Sequence, residues 1–150
     1  MLVYRLCKED EILKILETKK INIIGRYCSN IHKLNTHIYE KNKKYLHFFL
    51  EEHEIINLNP QKGKYICTYD MPKDIIDKNL GIGYYRSIFD LETLKEIKEC
   101  AIPVELINFS YLLKIEKITK YLELEDYLDD INKYKEIIYP NSSKIKIRRK

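Results

Sequence analysis

The sequence predicts an α+β fold, with one domain over residues 1–140 and a basic tail at 141–150. Apolar runs of strand length occur singly between polar segments, which suits a mixed, mainly antiparallel sheet rather than a doubly wound one. Helical periodicity is confined mostly to early and late stretches, so helices should pack around that sheet and one should close the domain at its C-terminal end. The 150 residues are the usual size of one domain, enough to bury roughly two thirds of the unfolded surface.

Residues 2–7 are an apolar run with one cation, Arg5, and read as a first strand. Glu9, Asp10 and Glu11 favour a helix start, and Ile12, Leu13, Ile15 and Leu16 repeat at helical spacing as far as Thr18. Residues 21–24, stopped by Gly25, read as a second short strand, and 26–43 as a covering loop or short helix. The aromatic run Tyr45-Leu46-His47-Phe48-Phe49 is the clearest buried strand. Asn59-Pro60-Gln61-Lys62-Gly63 reads as a turn, residues 64–69 as a strand and 73–78 as a short helix. Gly81-Ile82-Gly83-Tyr84-Tyr85 reads as a glycine-hinged loop, and residues 89–98 as an amphipathic helix through Leu91, Leu94 and Ile97. Strands are expected at 101–107 and 110–118. A helix is expected over 122–138, ended by Pro140.

Composition narrows the functional classes. With 45% hydrophobic and 33% charged residues, the chain reads as globular rather than disordered. The net charge of +4 comes from the tail: without Lys144, Lys146, Arg148, Arg149 and Lys150, the chain carries 22 basic and 23 acidic residues. Such a tail offers a weak contact to nucleic acid or an acidic partner. Cys7, Cys28, Cys67 and Cys100 are widely spaced and read as reduced thiols. The charge at Arg5 interrupts any secretory segment, and no apolar run reaches membrane-spanning length, so a cytoplasmic location is expected. Cys28, His32 and His37 lack a fourth ligand at suitable spacing, so no metal is expected.

Three islands hold the candidate chemistry: Tyr4-Arg5, the run around His47, and Glu99-Cys100-Ala101-Ile102-Pro103. Each sets one polar or ionisable residue in, or just before, a strand-like run. The order of cation, polar-aromatic strand and glutamate resembles the ADP-ribosyltransferase-like fold, which binds NAD, over roughly residues 2–118. The chain departs from it twice. Arginine-type members commonly carry Ser-Thr-Ser where this chain has His47-Phe48-Phe49, and the acids here are spaced Glu96-Ile97-Lys98-Glu99 rather than Glu-x-Glu.

The resemblance implies cleavage of NAD and transfer of ADP-ribose to a macromolecule, protein or nucleic acid. Glu99 and His47 would act at the reacting centre. Arg5, Tyr45, His37 and Tyr84 would contact the cofactor, with Asn35-Thr36-His37-Ile38-Tyr39 as a lid. Compact forms of this kind suit bacterial toxins and phage takeover or defence factors. Two rivals come from other classes: a non-catalytic protein-binding module on the same fold, and a nucleic-acid-binding protein using the tail and its tyrosines.

Overall fold

The computed structural model describes residues 1–27, 34–58, 63–87 and 90–140, with side chains throughout except at 86, 87 and 90–93. In chain order the elements are β1 (Leu2–Cys7), α1 (Glu9–Thr18), β2 (Arg26–Tyr27), β3 (Lys44–Phe49), β4 (Tyr65–Asp70), α2 (Lys73–Asp77), β5 (Leu80–Ser87), β6 (Asp90–Pro103), β7 (Leu112–Ile118), α3 (Leu124–Leu128) and β8 (Lys135–Tyr139). A 3₁₀ turn at Glu52–Asn57 follows β3. The strands form one sheet in the order β5-β6-β3-β1-β4-β7-β8, with β2 on β3. Each registered pair among the described residues is antiparallel. The architecture is α+β, as the sequence predicts.

Period-two alternation sorts the strands' side chains onto two faces. On one face Val3, Cys7, Phe48, Cys67, Tyr69 and Ile102 pack against Ile12, Ile15 and Leu16 of α1 and Ile76 of α2. The apolar stripe of α1 explains its helical state. Its first turn carries Glu9, Asp10 and Glu11, which favour the positive end of the helix. On the other face Phe49, Ile66, Ile97 and Ile118 pack under Ile55 and Ile56 of the 3₁₀ turn. Cys7, Cys67 and Cys100 are buried free thiols; Cys28 lies outside the described residues. No described helix is long and apolar enough to cross a membrane.

Five expectations from the sequence need correction. Residues 21–24 are a turn, not a strand: Ile24 N–H bonds Ile21 C=O at 3.1 Å, which buries both isoleucines without a strand partner. Gly81 to Tyr85 lie inside β5 and not in a loop. Residues 89–98 fall largely in β6 rather than a helix. An i, i+3 spacing does not separate a helix face from a strand with leucine on its open side, and Leu94 is exposed. The strand expected at 101–107 ends at Pro103 and gives way to a 3₁₀ turn at Val104–Leu106.

The fifth correction concerns the expected C-terminal helix at 122–138, which is only α3, a 3₁₀ turn at Ile131–Tyr134 and then β8. Asp129 leaves the helical backbone after Leu128, and Asp130 accepts the Asn132 N–H at 3.1 Å, which starts the separate 3₁₀ turn. The β-branched pair Ile137-Ile138 then pairs with the edge of β7. The turn expected at 59–63 falls mostly, and the basic tail wholly, outside the described residues.

Candidate functional site

A split in the sheet creates the site. β1 pairs with β4 along its whole length, but with β3 it shares one registered pair, Tyr4 opposite Phe49. Toward the start of β3 the edge is taken over by β2, with Arg26 opposite Tyr45 and Tyr27 opposite Lys44. A cavity of about 850 Å³ occupies this part of the sheet. That volume is in the range of about 300–1,000 Å³ usual for small-molecule sites. Arg5 and Leu6 line it from β1, Tyr45 to His47 and Phe49 from β3, Gly83 to Tyr85 from β5 and Glu99 from β6.

Glu99 stands where β6 exchanges neighbours, opposite Gly81 of β5 and Phe49 of β3. It is 2% exposed. Two glycines in a strand interior signal close approach of something else. At Gly83, an added Cβ would collide with Glu99 Oε2 and approach the Tyr85 ring to 2.8 Å. The missing side chain is therefore the niche for the carboxylate. Burial raises the Glu99 carboxyl to about 7; the Tyr85 hydrogen bond opposes this and the Glu54 charge adds to it. A carboxyl poised near neutrality in a cavity is a frequent mark of a working site.

The niche makes a direct prediction. Gly83→Ala forces the Glu99 carboxylate aside, and a displacement of about 1 Å costs on the order of 10²-fold in rate where geometry is the catalyst. Any reaction that uses Glu99 should fall by that order, while circular dichroism stays that of the parent. Unchanged turnover in Gly83→Ala would mean the niche is unimportant.

Arg5 enters from the α1 face. Its guanidinium contacts Glu11 Oε2 at 2.8 Å and donates to Cys7 Sγ at 2.7 Å. Burial alone would lower its proton affinity, but the Cys7 sulfur and the Glu11 carboxylate outweigh this and hold it charged. Lys8, Arg26 and Lys64 also line the cavity. Against Glu11 and Glu99, the lining has an excess of cations, with the buried carboxyl on the other face of the sheet.

Of the segment 34–40, Leu34 lines the cavity, and the rest of the segment is held behind it. Asn35 and Ile82 exchange backbone hydrogen bonds at 2.8 and 2.9 Å, which ties the loop to β5. Gly81 permits this: an added Cβ would meet Leu34 Cβ at 2.6 Å and Asn35 O at 3.0 Å. Tyr39 Oη accepts the Leu34 N–H at 2.9 Å and shares a 2.9 Å hydrogen bond with His47 Nε2. Tyr45 Oη accepts the Glu40 N–H at 2.8 Å.

Of the six residues named from the sequence, Arg5, Tyr45, His47, Tyr84 and Glu99 line the cavity. His37 does not line it. Its ring packs on Tyr39 at 4.4 Å and Tyr45 at 5.7 Å, and its Nε2 lies 3.3 Å from Asn79 Oδ1, so it supports the wall. Tyr85, Gly83, Lys8, Lys64, Arg26 and Tyr27 were missed. The alternation Gly81-x-Gly83-x-Tyr85 was the available signal for the niche, but it reads equally as a hinge. Among the described residues no group of three or more histidine, cysteine or carboxylate side chains is placed to hold a metal; Cys28 and His32 lie outside them. Comparison with protein-family models, with curated proteins and with solved structures gave no match.

Proposed function

We propose that the cavity binds NAD and that the chain cleaves its bond to nicotinamide, passing ADP-ribose to a macromolecular acceptor. One observation carries the reading. The three islands named from the sequence fall on three neighbouring strands, β1, β3 and β6, and line a single cavity. The donor set suits such a ligand. Cationic side chains match a pyrophosphate, tyrosines match planar rings, and a carboxylate matches a ribose hydroxyl and a developing cation.

Cleavage of NAD leaves positive charge on the ribose as nicotinamide departs. Glu99, ionised in a water-poor niche, stabilises that charge, which is usually a large catalytic contribution. Arg5, Lys8 and Lys64 supply cations for phosphate, Arg5 by exchanging its contact with Glu11. Tyr84, exposed on β5, offers a ring face, Tyr45, packed against His37 and Tyr39, shapes the cofactor end, and His47, held by Tyr39, positions the reacting end. Since Glu99 works as the carboxylate, turnover should rise with pH through about 7 and level off above it.

The test is release of nicotinamide from NAD by the purified chain between pH 5.5 and 9, with label from the adenylate half followed onto candidate acceptors. A rising limb near neutrality supports the proposal, and no release at any pH overturns it. A second reading, a partner-binding module without catalysis, is favoured by the engagement of Arg5 with Glu11 and Cys7. It predicts no nicotinamide release even in the presence of acceptors.

A further inference from the structure

We infer that Tyr85 is a positioning residue, whose phenol holds the Glu99 carboxylate ionised and in one orientation toward the cavity. The inference rests on the proposed use of Glu99 in NAD cleavage. Tyr85 Oη lies 2.8 Å from both Glu99 Oε1 and Oε2, so one donor is shared between the two carboxylate oxygens. Each oxygen retains a lone pair for a second donor, such as a ribose hydroxyl.

The contact is built into the strand register. Tyr85 stands opposite Lys95 and Glu99 opposite Gly81, so the two are not direct cross-strand partners. They meet because Gly83, between them on β5, has no side chain. The Tyr85 ring is braced by Phe49, with ring centroids 5.8 Å apart, and Phe49 is itself directly opposite Glu99 on β3. Three strands thus fix one hydrogen bond.

Other charges around Glu99 do not replace this donor. Glu54, from the turn at Glu52–Asn57, opposes ionisation, and it is occupied by Lys95 of β6 at 3.3 Å and His53 at 2.9 Å. The thiol of Cys100, the next residue on β6, is pushed up to about 12 by burial and then by Glu99, so it stays protonated. Burial, followed by the Glu99 charge, likewise raises the Tyr85 phenol far above neutrality and keeps its proton available. Tyr39, on the segment 34–40, raises it further.

Tyr85→Phe keeps the ring and removes the donor. A donor to a charged group favours its ionised form, so without it the Glu99 titration midpoint should move up by about one to two pH units. Carbon NMR of the labelled carboxyl reads this without NAD. The rising limb of nicotinamide release should move by the same amount. The loss is then roughly five- to fiftyfold at pH 7 and shrinks above pH 9. Placing 3-fluorotyrosine at position 85, a stronger donor of nearly the same shape, should move the midpoint down.

An unmoved Glu99 midpoint in both variants would overturn the inference. So would a loss of turnover equal at all pH values, which marks a merely structural role. If the midpoint moves but the parent protein releases no nicotinamide, the hold on Glu99 stands and the NAD reading fails.

Discussion

Glu99→Gln is expected to reduce nicotinamide release by on the order of 10²–10³-fold, since one preorganised charge-stabilising group typically contributes that much. The substitution keeps shape and an acceptor for the Tyr85 hydroxyl, so the loss should appear in kcat with the fold unchanged. The same substitution should stabilise the protein in alkaline solution. Burial raises the Glu99 carboxyl from about 4.5 to about 7 on folding. An acid raised in this way favours the folded state while protonated, fully below about pH 4.5, and loses that contribution as pH rises through about 7. At 1.36 kcal/mol per pH unit, the native charge costs about 3 kcal/mol at pH 8. Glutamine has no such cost. Urea unfolding at pH 8 and pH 4 should therefore show a gain in the variant at pH 8 and little at pH 4. A group that lowers stability where it is ionised is expected of a working site and not of a structural one.

Lys135→Met should have the largest effect on stability, a loss of about 3–5 kcal/mol. The Lys135 side chain is 3% exposed and lies 2.7 Å from Glu52 and 3.4 Å from Glu116, which is 4% exposed. Removing the cation leaves two carboxylates with less compensation, although Lys114 remains 3.4 Å from Glu116. Adding Glu116→Met should recover part of the loss, because replacing a buried pair by apolar groups is often neutral. Chemical denaturation of the single and double variants would show it. A single variant as stable as the parent would mean that β8 is not held to the sheet by this pair.

Lys135 also shows why part of the fold was hidden in the sequence. Leu122, Leu128, Ile131 and Ile138 approach helical spacing, and nothing local records that the edge of β7 is open to residues 135–139. The same holds for β6, where Leu91, Leu94 and Ile97 mimic a helix face while the partner strand β5 carries two glycines that look like a hinge. Pairing across the sheet overrides local spacing in both places. By contrast β1, β3, β4 and α1 were legible because each buries an apolar run or stripe, and α2 because Pro72 opens it and Asn79 and Gly81 follow its end.

Site residues divide in a similar way. Arg5, Tyr45, His47 and Glu99 stand out locally as polar groups in apolar runs, and all line the cavity. Tyr85 and Gly83 become visible only through register, since their importance lies in what faces them on β6. Lys8, Arg26 and Lys64 look like ordinary surface charges until the split between β1 and β3 gathers them at one opening.

Calorimetric titration of NAD into the folded parent protein at pH 8 and low salt decides whether the cavity is a cofactor site. Saturable binding at one site is expected, weakened by salt because cations line the cavity, and competed by ADP-ribose. Absence of saturable heat at millimolar NAD, with the protein folded, would contradict it.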